Sequence, residues 1–360
     1  MSKYISQRDE KNLIKLDALI QNDLPSFCEE FFVGIEQTTT TLTRLNYAYD
    51  LRTFFTYLTT KIKRFEGKST RDISLTDLEN LQAFEIEKYL SYLTSYKDDY
   101  TGKMVKNEAS GKRRKLSSIR AVIKYYQKKE KIDRDPTISI SAPKLREKEI
   151  IRLESDEVTK LLDVVETGEG LSSKQQKYQE NTQIRDLAIV GLLLGTGIRV
   201  SELVGIDVDD VDFDNMSFVV TRKGGARVIL YLSDEVAAML YDYYYARVRN
   251  SKCKKDETAL FLSLQNKRIS TRAVENIVKK YSKITTPLKK ITPHKLRSTF
   301  GTELYRNTGD IYIVADVLGH KDVNTTKKHY AAISEDLRKK AVDKVSLRGG
   351  VPVEDCEENE

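Results

Sequence analysis

The sequence predicts a mainly α-helical protein with a small antiparallel β-sheet. Apolar residues recur at helical spacing through most of the 360 residues, which is the pattern of amphipathic helices. Residues 208–232 differ, because β-branched and aromatic residues form two short runs there on either side of a turn. Residues 133–152 lack a helical period and contain Pro136 and Pro143, so they divide the chain into two domains of ordinary size.

The domain boundaries follow from these changes in pattern. We expect a polar N-terminal extension compatible with an extra helix, a compact helical domain, an extended interdomain linker, a second domain of mixed structure and an acidic, disordered tail. In chain order these segments span residues 1–24, 25–132, 133–152, 153–345 and 346–360.

Composition limits the class of protein. With 39% hydrophobic residues the chain can build a core, and its net charge of +7 favours a polyanionic partner. The three cysteines are far apart and form neither a disulfide framework nor a metal motif, which indicates a reducing compartment. The longest apolar run, residues 187–194, is too short to span a bilayer. We therefore expect a cytoplasmic protein with no membrane partner.

The most basic stretch lies late in the helical domain. Between Lys103 and Lys131 there are eleven lysines and arginines against two acidic residues. Residues 107–115 contain Gly111 and no periodicity, so we expect a loop, followed over residues 117–129 by a helix with cations on one face. Such a face is either simply solvated or a surface that follows phosphates. On the second interpretation, the candidates for binding DNA are Lys112, Arg113, Arg114, Lys115, Arg120 and Lys124.

The second domain opens with a helix over Ser155–Val165 and a long surface loop, residues 167–183. A nearly all-apolar helix over residues 186–194 then ends at a Gly-Thr-Gly turn. Arg199 and Glu202 follow this turn three residues apart, so they share a helix face and the carboxylate can hold the guanidinium. The alternative is an ordinary surface ion pair after a glycine turn.

The β-rich runs predict a hairpin. Residues 217–221 and 227–232 are the strands, and Arg-Lys-Gly-Gly-Ala joins them, which puts Lys223 at the tip. A lysine at a hairpin tip is usually solvated, but it can also reach into a site and transfer a proton. Further amphipathic helices are expected at residues 233–249, 272–283 and 334–345.

The three histidines of the chain, His294, His320 and His329, lie in one window near the C-terminus. A Thr-Pro pair opens a helix whose first turn carries His294 and Arg297 on one face. A second short helix, stopped by a glycine, presents His320, and a third carries Tyr330. Helix ends of this kind attract phosphate, so together these side chains indicate an anion site. Taken singly, His294 and His320 are better explained as capping or core residues, and Tyr330 as a packing residue.

Together, these segments resemble the tyrosine recombinase/integrase family, in particular its Xer-like and mobile-element members. The match covers residues ~25 to 345, and five motifs in order and spacing make it specific. The motifs are the first arginine box Thr196-Gly197-Ile198-Arg199-Val200-Ser201-Glu202-Leu203, the lysine turn Arg222-Lys223-Gly224-Gly225, the second box His294-Lys295-Leu296-Arg297, the histidine motif Leu318-Gly319-His320 and the nucleophile segment Thr325-Thr326-Lys327-Lys328-His329-Tyr330.

Two positions depart from the family pattern. Ser298 stands where many members carry a histidine, and Tyr330 follows His320 by ten residues rather than nine. His329 occupies the ninth place, but an imidazole is a poor substitute for a phenol. Since no tyrosine follows Tyr330 in the chain, it is the nucleophile candidate.

The resemblance implies a two-domain, C-shaped DNA clamp, in which a helical core-binding domain precedes a mixed α/β catalytic domain. It implies site-specific recombination of double-stranded DNA through a covalent 3′-phosphotyrosyl intermediate and a Holliday junction, carried out by a tetramer on two duplexes. No metal or cofactor is implied, and an accessory protein is a further candidate partner. Glu202 would support Arg199, and the implied catalytic residues are Arg199, Lys223, His294, Arg297, His320 and Tyr330.

Several functions share these residues. The loop at residues 167–183, the N-terminal extension and the two departures favour integration and excision of a mobile element. Xer-type chromosome-dimer resolution is the nearest alternative. A type IB topoisomerase-like relaxing enzyme would share the tyrosine and the arginines, whereas the complete catalytic set argues against a catalytically silent DNA-binding protein.

Overall fold

The computed structural model describes residues 3–145, 150–222, 224–254, 256–320 and 323. The chain divides into two compact units, residues 1–148 and 149–360. Both units are mainly helical with small antiparallel sheets, which confirms the predicted fold class. Lys223, His329 and Tyr330 lie outside the described residues, as do the expected helix at 334–345 and the expected tail.

The first unit contains a short hairpin among its helices. Strands β1 and β2 pair antiparallel, with Tyr96 opposite Val105; the sequence did not predict them because each run is only three residues long. In chain order the elements are α1 (Lys3–Asn22), α2 (Cys28–Gly34), α3 (Thr41–Lys61), α4 (Leu75–Glu79), α5 (Ala83–Tyr92), β1 (Ser95–Lys97), β2 (Met104–Lys106) and α6 (Ala109–Lys128).

The core of the first unit is rich in aromatic rings. Phe54, Tyr89 and Tyr126 are fully buried, and the rings of Phe54 and Tyr89 meet edge to face with centroids 5.0 Å apart, a favourable geometry for aromatic pairs. Leu16 and Leu19 of α1 are buried in the same core. The segment expected as an N-terminal extension is therefore a helix that forms part of this unit.

Helix α6 begins at Ala109, so the loop predicted over residues 107–115 is wrong. Its internal glycine costs about 1 kcal/mol in helix propensity. Lys115 and Ser118 offset that cost, because each donates a hydrogen bond of 3.0 Å to the buried carboxylate of Asp50 on α3. This contact lies 65 residues away from Lys115 along the chain, beyond the reach of any local pattern.

The first part of the linker packs on the first unit. Thr137 and Ile140 are buried, and Arg120 donates from Nη2 to their carbonyl oxygens at 3.2 and 2.6 Å. Residues 136–139 consequently form turns, in contrast to the extended chain that we expected there.

The second unit contains the predicted hairpin. Strands β3, β4 and β5 form one antiparallel sheet in that order, with Phe218 opposite Leu230. None of the described helices is both long and apolar enough to cross a membrane. The elements are α7 (Ser155–Thr167), α8 (Ser173–Gln179), α9 (Gln183–Thr196), α10 (Val200–Val204), β3 (Val211–Asp212), β4 (Ser217–Thr221), β5 (Arg227–Tyr231), α11 (Asp234–Val248), α12 (Thr271–Thr285), α13 (Pro293–Thr308) and α14 (Ile311–Leu318).

Helix α8 lies inside the stretch that we expected to be a surface loop, so that prediction is wrong. The side chain of Gln175 accepts from the backbone N–H of Ser172 at 3.1 Å, as in a capping box. Gln179 at the end of the helix is buried and donates to Val165 O at 3.0 Å. These contacts let a polar sequence form a short helix against α7.

Helix α9 is the buried centre of the second unit, as its apolar sequence predicts. Asp186 near its start is fully buried, and its carboxylate accepts hydrogen bonds from Lys280 and Tyr281 of α12 at 3.0 and 2.9 Å. The helix ends at Gly197, whose φ of +60° is a conformation that side chains other than glycine rarely adopt. This fixed end sets the position at which Arg199 leaves the core.

Candidate active site

The candidate site is organised around the C-terminal end of α14. Gly319 ends this helix in the left-handed conformation, with a φ of +63°. The backbone N–H of His320 then donates to Ala315 O at 2.9 Å, a helix-ending bond of the Schellman type. Such an end presents carbonyl oxygens without helical partners and carries a partial negative charge, so it attracts cationic side chains.

Arg297 is the most deeply buried cation at this helix end. It lies on α13, which starts with Thr292 at the N-cap position and proline at the first helical position, as predicted. The residue is only 5% exposed. Its Nη1 donates to Gly197 O at 2.6 Å, and its Nη2 donates to Leu318 O. Because a buried charge requires such acceptors, the guanidinium joins the ends of α9 and α14 in one orientation.

Arg199 reaches the same helix end from the N-cap position of α10. Glu202 accepts from its Nη1 at 2.7 Å and from its backbone N–H at 2.8 Å. Its Nη2 donates to Gly319 O at 3.3 Å. The Glu202 side chain is buried, whereas 36% of the Arg199 side chain is exposed. The guanidinium is thus oriented from inside the unit and accessible from outside.

Arg222 is a third arginine at this helix end; the lysine-turn motif contains it, but the motif indicates no role for it. It lies at the base of the β4–β5 turn and donates from Nη2 to Val317 O at 2.8 Å and from Nη1 to Asp316 O at 3.3 Å. The turn motif draws attention to the neighbouring lysine. A contact with a residue 94 positions later leaves no trace in the local pattern.

The three guanidiniums therefore donate hydrogen bonds to the carbonyl oxygens of four consecutive residues, 316–319. A helix C-terminus carries only about half an elementary negative charge. Even when the carboxylates of Glu202 and Asp316 are added, the formal balance of these groups stays positive. At Arg199 and Arg297 the arrangement can bind an anion, and guanidiniums match the geometry of phosphate oxygens well.

The two described histidines lie close to these arginines in the chain. His320 is half-buried and directly follows Gly319, while His294 is exposed in the first turn of α13, one turn before Arg297. The structure therefore brings Arg199, Arg297 and the start of the His320 segment together. Lys223 and Tyr330 are outside the described part of the chain, so their roles stay predictions.

The basic residues of α6 do not all lie on its surface. Arg113 and Lys124 are exposed, and Lys112 donates from Nζ to Thr94 Oγ1 at 2.6 Å. Lys115 is 6% exposed and faces Asp50. The cations held by internal acceptors are Arg114 and Lys115 on that carboxylate and Arg120 on the linker carbonyls. The exposed cationic face is consequently smaller than the sequence suggests.

In the part of the chain that the structure describes, no three or more histidine, cysteine, aspartate or glutamate side chains are grouped so that they could hold a metal ion. The site described above contains three guanidiniums at one helix end and the carboxylate of Glu202, which supports Arg199.

Comparison with known proteins reveals relatives that align over most of the chain. The model of the Phage integrase family matches residues 151–336. Tyrosine recombinase XerC of Caldanaerobacter subterraneus subsp. tengcongensis is 33% identical over 84% of this chain and 80% of its own length. Tyrosine recombinase XerS of Streptococcus thermophilus is 32% identical over 83% of this chain and 92% of its own.

Solved structures share the same fold at lower identity. The XerH site-specific recombinase bound to palindromic difH substrate has a TM-score of 0.61 at 18% identity, covering 84% of this chain and 80% of that one. The Tn1549 transposon integrase in complex with transposon right end DNA has a TM-score of 0.59 at 17% identity, covering 88% of this chain and 98% of that one.

Proposed function

We propose residue roles from one premise: this chain belongs to the Phage integrase family and is a tyrosine recombinase, an enzyme that cleaves and rejoins DNA in site-specific recombination. The observation that carries the proposal is the meeting of Arg199 and Arg297 at the end of α14. Two guanidiniums, one buried and one accessible, suit the non-bridging oxygens of a phosphodiester.

The arginines act through charge that is already in place. During attack on phosphorus, negative charge builds up on the non-bridging oxygens, and preorganised donors stabilise it without reorganisation. Arg297 is preorganised because two of its nitrogens are held on carbonyl oxygens. Arg199 is preorganised by the buried Glu202 carboxylate, while its exposed surface faces the incoming DNA.

The remaining roles concern bond formation and proton transfer. The phenolic oxygen of Tyr330 attacks the phosphorus, the bond to the 5′ oxygen breaks, and Lys223 donates a proton to that oxygen. A phenol has an unperturbed pKa of ~10, so nearby cations are needed to favour the phenolate. His294 and His320 donate hydrogen bonds to the phosphate or accept the phenolic proton. The phosphotyrosyl bond keeps the energy of the phosphodiester, so a second 5′-hydroxyl reverses the step without ATP.

The first unit supplies contacts to the DNA backbone. Its exposed cations can neutralise phosphates, and affinity should then fall steeply with salt. The candidates exposed for this purpose are Arg113, Arg114 and Lys124, with the half-buried Lys112 beside them. Lys115 and Arg120 support the unit from inside, and Arg120 holds the start of the linker.

The assembly and the cellular role complete the proposal. Four protomers act on two DNA duplexes through a Holliday junction, and the enzyme integrates and excises a mobile element. A second candidate, chromosome-dimer resolution, is favoured by one observation: the curated relatives reported above are named XerC and XerS. Deleting the gene distinguishes these two roles. Loss of the circular excision product would indicate a mobile-element enzyme, whereas failure to separate sister chromosomes would indicate a dimer resolvase.

The recombination reaction itself is tested on a plasmid that carries two copies of the DNA flanking the gene. The proposal expects exchanged products from the native protein and none from Tyr330→Phe, which should still bind the sites. Relaxation of a supercoiled plasmid that lacks these sites would instead identify a topoisomerase-like enzyme. Exchange by the Tyr330→Phe variant would refute the assigned nucleophile.

A further inference from the structure

Arg222 links two parts of the site that are far apart in the sequence. Its backbone closes the hairpin turn, because its N–H donates to Ala226 O at 2.8 Å and its carbonyl accepts from Gly225 N at 3.0 Å. Its side chain leaves the hairpin and binds the carbonyl oxygens of Val317 and Asp316. One residue thus connects the base of the lysine turn with the end of α14.

The Arg222 side chain also lies in close van der Waals contact with the end of α14. A Cβ placed on Gly319 would lie 2.2 Å from Nη1 and 2.5 Å from Cζ of Arg222. The guanidinium therefore lies directly against the backbone of Gly319, one residue before His320. Glycine at this position serves both the left-handed φ of +63° and the approach of the arginine.

We propose that Arg222 is a positioning residue, which anchors the hairpin base on the end of α14 and so sets the approach of Lys223 to the scissile phosphate. The inference rests on the proposed function in one respect, the role of Lys223 as the proton donor. Arg222 itself donates both of its side-chain hydrogen bonds to helix carbonyls. A planar guanidinium spans two such oxygens with separate nitrogens in a fixed geometry, whereas an ammonium group has all its donors on one nitrogen.

The hairpin contains a matched control. Arg227, the first residue of β5, pairs with Asp210 at 2.7 Å and its side chain is 65% exposed. Substituting it removes the same charge from the same hairpin without removing a contact with α14. Arg227→Ala should therefore cleave DNA at close to the native rate, whereas Arg222→Ala should not.

The test uses two suicide DNA substrates in single-turnover cleavage at saturating enzyme. One has the ordinary 5′ oxygen as leaving group and the other has sulfur in that bridging position. A thiol has a pKa of ~8.5, far below the pKa of a hydroxyl, so the sulfur leaves without a proton donor. If a variant only misplaces the proton donor Lys223, its cleavage rate should therefore return to the native value on the sulfur substrate. If a variant is misfolded, cleavage should be slow on both substrates.

Arg222→Ala is expected to cleave the oxygen substrate ~10–100-fold more slowly, as small misplacements in active sites do, and the sulfur substrate at close to the native rate. Arg222→Lys should remain slow on oxygen, and thermal unfolding should show both variants folded. Native rates for Arg222→Ala on oxygen, equal slowing on both substrates, or full recovery in Arg222→Lys would overturn the inference.

Lys223→Ala separates this inference from the role on which it rests. Loss of a general acid costs ~10²–10⁴-fold, and sulfur should restore the rate. Failure of sulfur to restore Lys223→Ala would refute the proton-donor role of Lys223. Restoration of Lys223→Ala together with a native Arg222→Ala would refute the positioning role alone.

Discussion

Replacing Arg297 by lysine perturbs the most deeply buried cation of the site while keeping its charge. The native guanidinium divides its two terminal nitrogens between Gly197 O and Leu318 O, whereas a lysine has a single nitrogen, so we expect it to keep only one of these contacts. Loss of one hydrogen bond to a charged donor costs about 1.5–3 kcal/mol of stability. In a unit of this size each kcal/mol lowers Tm by about 2–4 °C, so Tm should fall by roughly 3–12 °C.

The same substitution should also slow DNA cleavage, and this loss of rate should be measurable at temperatures where the variant is still folded. Removing one preorganised donor from a charged transition state costs about 10²–10³-fold in rate. Circular dichroism melting and single-turnover cleavage of a suicide DNA, performed well below Tm, measure the two effects separately. Arg306→Lys on the same helix is the control, because Arg306 pairs with Glu154 at the surface and such pairs contribute at most about 1 kcal/mol. Cleavage at the native rate by Arg297→Lys would refute the reasoning.

Three further predictions concern the two units. Asp50→Ala leaves the buried Lys115 ammonium without its carboxylate, so thermal unfolding should show a loss of about 3–5 kcal/mol; an unchanged Tm would contradict it. Burial raises the pKa of the Cys28 thiol, so alkylation at pH 8 followed by mass spectrometry should label Cys253 before Cys28, which should react only after unfolding. Gly197→Ala forces a side chain into a φ of +60° and puts its Cβ 2.4 Å from a ring carbon of Phe300. Chemical denaturation should therefore show a free energy of unfolding reduced by more than the ~1–2 kcal/mol that the left-handed conformation alone costs. An unchanged free energy of unfolding would contradict this packing.

Local signals set the ends of α13 and α14, which is why these ends were predictable. A Thr-Pro pair starts α13, and Gly319 stops α14. Both signals act between residues within one or two helical turns of each other, so they can be recognised from the sequence alone. The same holds for the Arg199–Glu202 pair, whose spacing of three residues puts both side chains on one face.

The parts of the site that were missed depend on distant contacts. Arg222 binds carbonyls more than ninety residues later, and charge counting cannot show that Lys115 points inward to Asp50. A one-dimensional pattern records which residues are basic but not which acceptors they meet after folding. That Arg199 and Arg297 belong to one site was expected only because the motifs resembled a known family; that they meet at the end of α14 was not expected.

Mapping the protein–DNA adduct tests the central claim most directly. The native protein is trapped on a nicked suicide DNA, digested with protease and nuclease, and sequenced by mass spectrometry. The account predicts a single modified residue, Tyr330, linked through phosphate to the 3′ end of the cleaved strand. A phosphate on His329 or any other residue, or strand exchange without any adduct, would contradict it.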